Sequence, residues 1–70
     1  MLDIDWNEIP EKYKWAAQDE AGMICVFDDE PFLFEWELGV WDSFGYMAII
    51  KNGASPNTDW KNTLTKRPEK

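Results

Sequence analysis

Between Lys12 and Phe27 the chain reads KYKWAAQDEAGMICVF, two runs in period two on either side of Asp19-Glu20-Ala21-Gly22. Tyr13, Trp15 and Ala17 share one face of the first run, and Lys12, Lys14 and Gln18 share the other. Gly22 ends the turn, where positive φ suits glycine and costs other residues about 1–2 kcal/mol. The pattern predicts a β-hairpin, and the hairpin sets the fold. Its second run, Met23 to Phe27, is apolar throughout, as expected of a strand covered on both faces.

Upstream, Leu2, Ile4 and Trp6 alternate with Asp3 and Asp5, which suits a short edge strand until Pro10 removes a ladder donor. Downstream, Asp28-Asp29-Glu30-Pro31 reads as a loop. Phe32 to Trp41 then alternates again, with Phe32, Phe34, Trp36, Leu38 and Val40 on one parity and Glu35 and Glu37 on the water-facing one. A third strand is expected there, with a bulge or bend at Gly39. Asp42-Ser43-Phe44-Gly45 reads as a second hairpin turn. Tyr46 to Ile50 is uncharged and is expected as a central fourth strand. Ser55 as N-cap, Pro56 at the first helical position and Trp60 with Leu64 four residues later predict a short helix over about Pro56 to Thr65. Lys66 and Arg67 follow at its C-terminal end, and Pro68 stops it.

The fold expected is therefore mainly β, a small α+β protein. It has an antiparallel, hairpin-based sheet and one short C-terminal helix, in a single domain over residues 1–70. Residues 1–10 form an N-terminal arm, 11–51 the strands, and 55–66 the short helix and basic tail. A chain this small buries only ~60% of its unfolded surface. The single cysteine, Cys25, cannot close an intrachain disulfide, and the chain has no histidine. Oligomerisation is the staple that remains, so a homo-oligomer is expected.

The formal charge of −7 is unevenly spread. Residues 1–50 carry a net −10, and residues 51–70 a net +3. An acidic chain is a poor ligand for duplex DNA or an anionic membrane, but its basic tail suits a small anion. The N-terminus MLDIDWNEIP is acidic rather than leader-like, and no apolar run approaches the ~20 residues of a membrane span, so a cytosolic protein is expected. Asp28, Asp29 and Glu30 lack the spacing of a calcium loop, and no metal site or cofactor is expected. Cys25 sits in an apolar strand and reads as core filler. Ser43, Ser55 and Thr63 have no base to activate them, so the protein is not expected to be an enzyme.

Eleven aromatic residues stand against that plain background. Trp15, Phe27, Phe34 and Trp36 are most simply core. Trp6, Trp41, Tyr46 and Trp60 fall near turns and element ends, where an indole beside a cation could stack a nucleobase and meet its phosphate.

The sequence Tyr13-Lys14-Trp15-Ala16-Ala17, Asp19, Gly22, Phe27, Pro31 and Trp36, then Asp59-Trp60-Lys61-Asn62, Leu64 and Lys66-Arg67-Pro68, resembles small phage-encoded anti-CBASS sponge proteins. The resemblance spans about residues 10–68. It implies a homotetramer that sequesters a cyclic dinucleotide defence signal, such as 3′,3′-cGAMP, in the host cytoplasm without cleaving it. The ligand residues expected on chemical grounds are Tyr13, Trp41 or Trp60 for stacking. Asn62 and Thr63 would serve polar base edges, and Lys61, Lys66 and Arg67 phosphate. The alternative is an acidic, DNA-mimicking inhibitor of a host nucleic-acid enzyme, of the anti-restriction or anti-CRISPR type. A minor structural or virion-associated role is a third reading.

Overall fold

The computed structural model of the chain describes Leu2, residues 4–33 and 39–51, Pro56 and residues 58–69. Among the described residues, four antiparallel strands form one sheet: β1 (Trp15–Gln18), β2 (Ile24–Phe27), β3 (Met47–Lys51) and β4 (Thr65–Lys66), in the order β3-β2-β1-β4. The protein is mainly β, as expected. Its hairpin is β1–β2, with Trp15 opposite Phe27 and Gln18 opposite Ile24. The turn between them is held on both sides. Gly22 adopts φ +94° and its N–H donates to the Asp19 carbonyl. The Met23 N–H donates to Asp19 Oδ1, and Gln18 Nε2 to the Gly22 carbonyl.

Alternation sorts the sheet into two apolar faces. Ala16, Val26 and Ala48 lie abreast on one face, where Leu2, Ile4, Trp6 and Ile9 of the N-terminal arm, with Tyr13 just after it, cover them. Ala17, Cys25 and Phe27 lie on the other, beneath Trp41, Leu64 and Met23. Burial on both faces explains why Met23 to Phe27 is apolar at every position. The alanines at 16 and 17 have almost no exposed surface and leave room for the large side chains above and below them.

The arm does not form an edge strand over its described residues. Asp5 Oδ1 accepts from the Asn7 N–H and starts a single 3-10 turn, Trp6–Glu8. Asp and Asn next to a proline-terminated segment favour such local bonds over a ladder.

Two further expectations change. Tyr46 to Ile50 was expected at the centre of the sheet. It is β3, at the edge, and Met47, Ile49 and Ile50 are exposed. The lack of charge there marks an open apolar strand rather than a covered one. Its partner is β2, with Met47 opposite Phe27, so the Asp42–Gly45 bend feeds a strand that pairs back across a long connection. The helix expected over Pro56 to Thr65 is reduced to one 3-10 turn, Trp60–Asn62, followed by β4. A segment of this length cannot pay the cost of helix nucleation, and pairing with β1 satisfies its backbone instead. The expected cap Ser55 lies outside the described residues.

Of the expected third strand, Phe32 forms an isolated bridge to Asp42, with reciprocal N–H to carbonyl bonds of 2.8 and 2.9 Å. Phe34, Glu35, Trp36, Glu37 and Leu38 lie outside the described residues. Gly39 has φ +88° and is buried, and its carbonyl accepts from the Glu20 N–H at 2.9 Å. The bend expected at Gly39 thus docks this segment onto the hairpin turn.

Candidate functional site

The sequence-expected ligand residues do not converge. Trp60 is buried, and its ring stands edge-on to Trp41 at 6.2 Å between centroids. The indole N–H of Trp41 donates to the Gln18 carbonyl at 3.0 Å. Both rings pack under β1: Trp60 is buried, and Trp41 is half-buried against Ala17, Cys25 and Phe27. Thr63 is also buried. Its hydroxyl oxygen accepts from the Gln18 N–H at 2.9 Å and lies 2.7 Å from the Trp60 carbonyl, to which it donates. Its bonding capacity is taken up in holding the 3-10 turn against β1. Asn62 is exposed, and its Nδ2 donates to Asp59 Oδ1 at 2.6 Å. Lys61 is exposed beside the Trp60 ring, with Nζ 5.7 Å from the centroid. Tyr13 packs with the arm on the opposite face of the sheet.

Arg67 changes role altogether. Its Nη1 donates to the carbonyls of Pro10 and Tyr13 at 2.9 and 3.0 Å. Its Nη2 donates to those of Trp6 and Ile9 at 2.9 and 3.1 Å. The guanidinium also lies 5.2 Å from the centre of the Trp6 ring. A planar fork of donors suits such a cluster of carbonyls better than an ammonium would. The cation expected at a phosphate instead fastens the arm to the sheet.

Lys66 is exposed, like Lys61, but stands beside an indole that is itself partly exposed. Its Cα lies opposite Trp15 across β1–β4, and its Nζ is 5.8 Å from the Trp15 ring centroid. The Arg67 N–H donates to the Lys14 carbonyl at 2.7 Å, while the Lys14 N–H donates to Phe27. Backbone pairing thus fixes Lys14, Trp15 and Lys66 along one edge of the sheet. They line an open groove of about 650 Å³, closed by Pro68 and the stem of Arg67 and rimmed by Glu11 and Glu69. Lys14 and Lys66 are exposed, whereas Trp15 is half-buried.

This groove offers a partly exposed indole, two mobile ammonium groups and two carboxylates at the rim. An indole face with adjacent cations can hold a planar ring and its phosphate. Carboxylates can accept the N–H groups of a base. The sequence reading assigned Trp15 to the core, and the ring does pack against Ala17, Cys25 and Phe27 while also lining the groove; it did not single out Glu11, Lys14, Pro68 and Glu69. The signal that could have found them was the tail read as a strand, because Lys66 then comes opposite Trp15.

Cys25 is buried, and its thiol is pushed up to about 11, first by burial and then by the nearby Asp19 carboxylate. It is held as a neutral thiol, in keeping with a core position. Asp28 and Asp29, candidates for an acidic mimic, are partly engaged at home. Asp28 Oδ1 accepts from the Tyr46 N–H at 2.8 Å, and Asp29 Oδ1 from the Glu30 N–H at 3.0 Å. Among the described residues no helix is long and apolar enough to cross a membrane.

The chain matches no family model, no curated protein and no solved structure. The likeness to sponge proteins rests on the sequence motifs alone.

Proposed function

We propose that this protein is a non-catalytic binding protein that sequesters a small, planar, phosphate-bearing ligand of the cyclic dinucleotide class. The observation that carries the reading is the Lys14–Trp15–Lys66 edge, where the Lys66 ammonium lies 5.8 Å from a half-buried indole and the exposed Lys14 lines the same groove. One base stacks on Trp15, and Lys14 and Lys66 meet phosphate. The phosphate role expected of Arg67 passes to Lys14, because the Arg67 donors are engaged by arm carbonyls. The stacking role expected of Trp41 or Trp60 passes to Trp15. The ligand is held and released unchanged.

The test is native mass spectrometry of the purified protein with an equimolar set of cyclic di- and trinucleotides, followed by titration of the retained species. Retention of an unmodified cyclic dinucleotide is expected. Lys66→Ala and Lys14→Ala should each weaken it by roughly 10- to 100-fold, the equivalent of one charged hydrogen bond. Lys61→Ala, outside the groove, should leave it unchanged. A protein that retains no nucleotide, or one whose affinity ignores both Lys14 and Lys66, would overturn the reading.

A further inference from the structure

We infer that β3 pairs with β3 of a second copy of this chain, edge to edge and antiparallel, about a two-fold axis through Ile49. The inference is independent of the ligand groove, which lies at the opposite edge of the sheet. The two edges are treated differently. β4 is two residues long, contains Lys66 and is followed by Arg67 and Pro68, the devices that blunt an edge against pairing. β3 runs for five residues; its ladder with β2 shifts register at Ile50, and its charge, Lys51, stands beyond that shift, so Met47 to Ile49 is the regular, uncharged part of this edge. Among the described residues no strand pairs with its outer side.

The backbone geometry suits self-pairing. The Asp28 N–H donates to the Tyr46 carbonyl at 3.2 Å, so Tyr46 and Asp28 form a hydrogen-bonded pair. Alternation along the regular part of this antiparallel ladder, before the register shift at Ile50, then turns the N–H and C=O of Met47 and Ile49 away from β2. A dyad at Ile49 lets each copy's Ile49 donate to and accept from the other. That relation is isologous, and one strand supplies both halves of it.

Side chains and charge point to the same occupant. Phe44 is 89% and Tyr46 75% exposed, and Met47, Ile49 and Ile50 are each 41–54% exposed. Aromatic groups alone present ~150–250 Å² each, so every copy offers roughly 600 Å² of apolar surface along this edge. That is at the upper end of what a monomer leaves open and close to the ~800 Å² per partner of a stable interface. Two copies of a −7 chain repel. Residues 43–50 carry no charge, so they form a seam where approach costs least. Lys12, 5.8 Å from the Tyr46 ring, and Asp28, which holds the Tyr46 N–H, put opposite charges together at the start of β3.

Sedimentation equilibrium of the full chain without ligand tests the inference. A concentration-dependent dimer is expected. Ile49→Lys places two ammonium groups together on the axis and should weaken association by about a hundredfold or more, with unchanged circular dichroism. A nitroxide on Ile49→Cys decides the matter should the lysine variant misfold, because a dyad there requires a short intermolecular spin–spin distance. A wild-type chain that stays monomeric overturns the pairing. So does a dimer that survives Ile49→Lys, or one whose labels at 49 lie far apart. A monomer that instead captures an added extended peptide would also overturn it, by showing that the edge takes a foreign strand.

Discussion

Arg67 and Trp6 meet twice: Nη2 donates to the Trp6 carbonyl at 2.9 Å, and the guanidinium rests 5.2 Å from the centre of the Trp6 ring. The arm also accepts Arg67 at Ile9, Pro10 and Tyr13, so one C-terminal side chain holds the layer that covers Ala16 and Val26. Arg67→Ala leaves those carbonyls to water and frees the arm. A charge-assisted hydrogen bond contributes about 1.5–3 kcal/mol in favourable settings, and partial solvent access lowers the yield here, so a total loss of roughly 2–4 kcal/mol is expected. Arg67→Lys should recover less than half, since an ammonium cannot span four carbonyls in a plane. Urea midpoints of the three proteins measure this.

A second prediction separates the tryptophans. Trp60 is buried against Trp41, so Trp60→Ala removes a large core side chain, and about 3–5 kcal/mol of stability should go with it. Trp15 lies half-buried in the groove, and Trp15→Phe should be nearly neutral for stability while weakening a stacked ligand. Thermal melts paired with ligand titrations distinguish the two. Equal stability losses at both positions would remove Trp15 from the site.

The sequence made the β1–β2 hairpin legible because its determinants are local. Gly22 sits where φ is positive, Asp19 can bond two residues across the turn, and alternation fixes the flanking strands. The role of Arg67 depends on contacts 54 to 61 residues away, and no local pattern encodes these. Seen alone, a cation at the end of an aromatic tail suggests phosphate. The tail misled in the same way. Trp60 and Leu64 fit one helical face, yet the Thr63 and Thr65 hydroxyls bond to Gln18 and Leu2 and draw the chain into a strand. β3 misled for a different reason. An apolar, uncharged strand reads as buried, and its place at the edge is set by a pairing order that no local pattern encodes.

Gly45 supplies a third prediction. A Cβ built there would run into the Asp28 carboxylate and stand 3.1 Å from the Asp29 Cβ. Asp28 Oδ1 receives the Tyr46 N–H at the entry to β3. Gly45→Ala should therefore push Asp28 aside and leave that amide without its acceptor, at a cost of about 1–3 kcal/mol. Hydrogen exchange should speed up first at Tyr46 and then along β3, with the β1–β2 hairpin still protected. Uniform acceleration across the sheet would show that Gly45 matters for another reason.

Cys25 makes stability depend on alkaline pH. Its thiol is raised from 9.0 to about 11, chiefly by burial and further by the Asp19 carboxylate. The folded state thus keeps a proton that the unfolded chain releases near 9. The contribution is fully present below that pH and is lost as the pH rises towards 11. Each unit of the window is worth about 1.4 kcal/mol, so about 2–3 kcal/mol disappears across it. For a domain this small that is a large part of the total, which at ~0.05–0.15 kcal/mol per residue is itself modest. The informative quantity is the difference between wild type and Cys25→Ala. The variant should start lower, because a buried sulfur is gone, and should lose less between pH 9 and 11. Parallel urea-denaturation curves for the two proteins across that range would show that the thiol is not the group responsible.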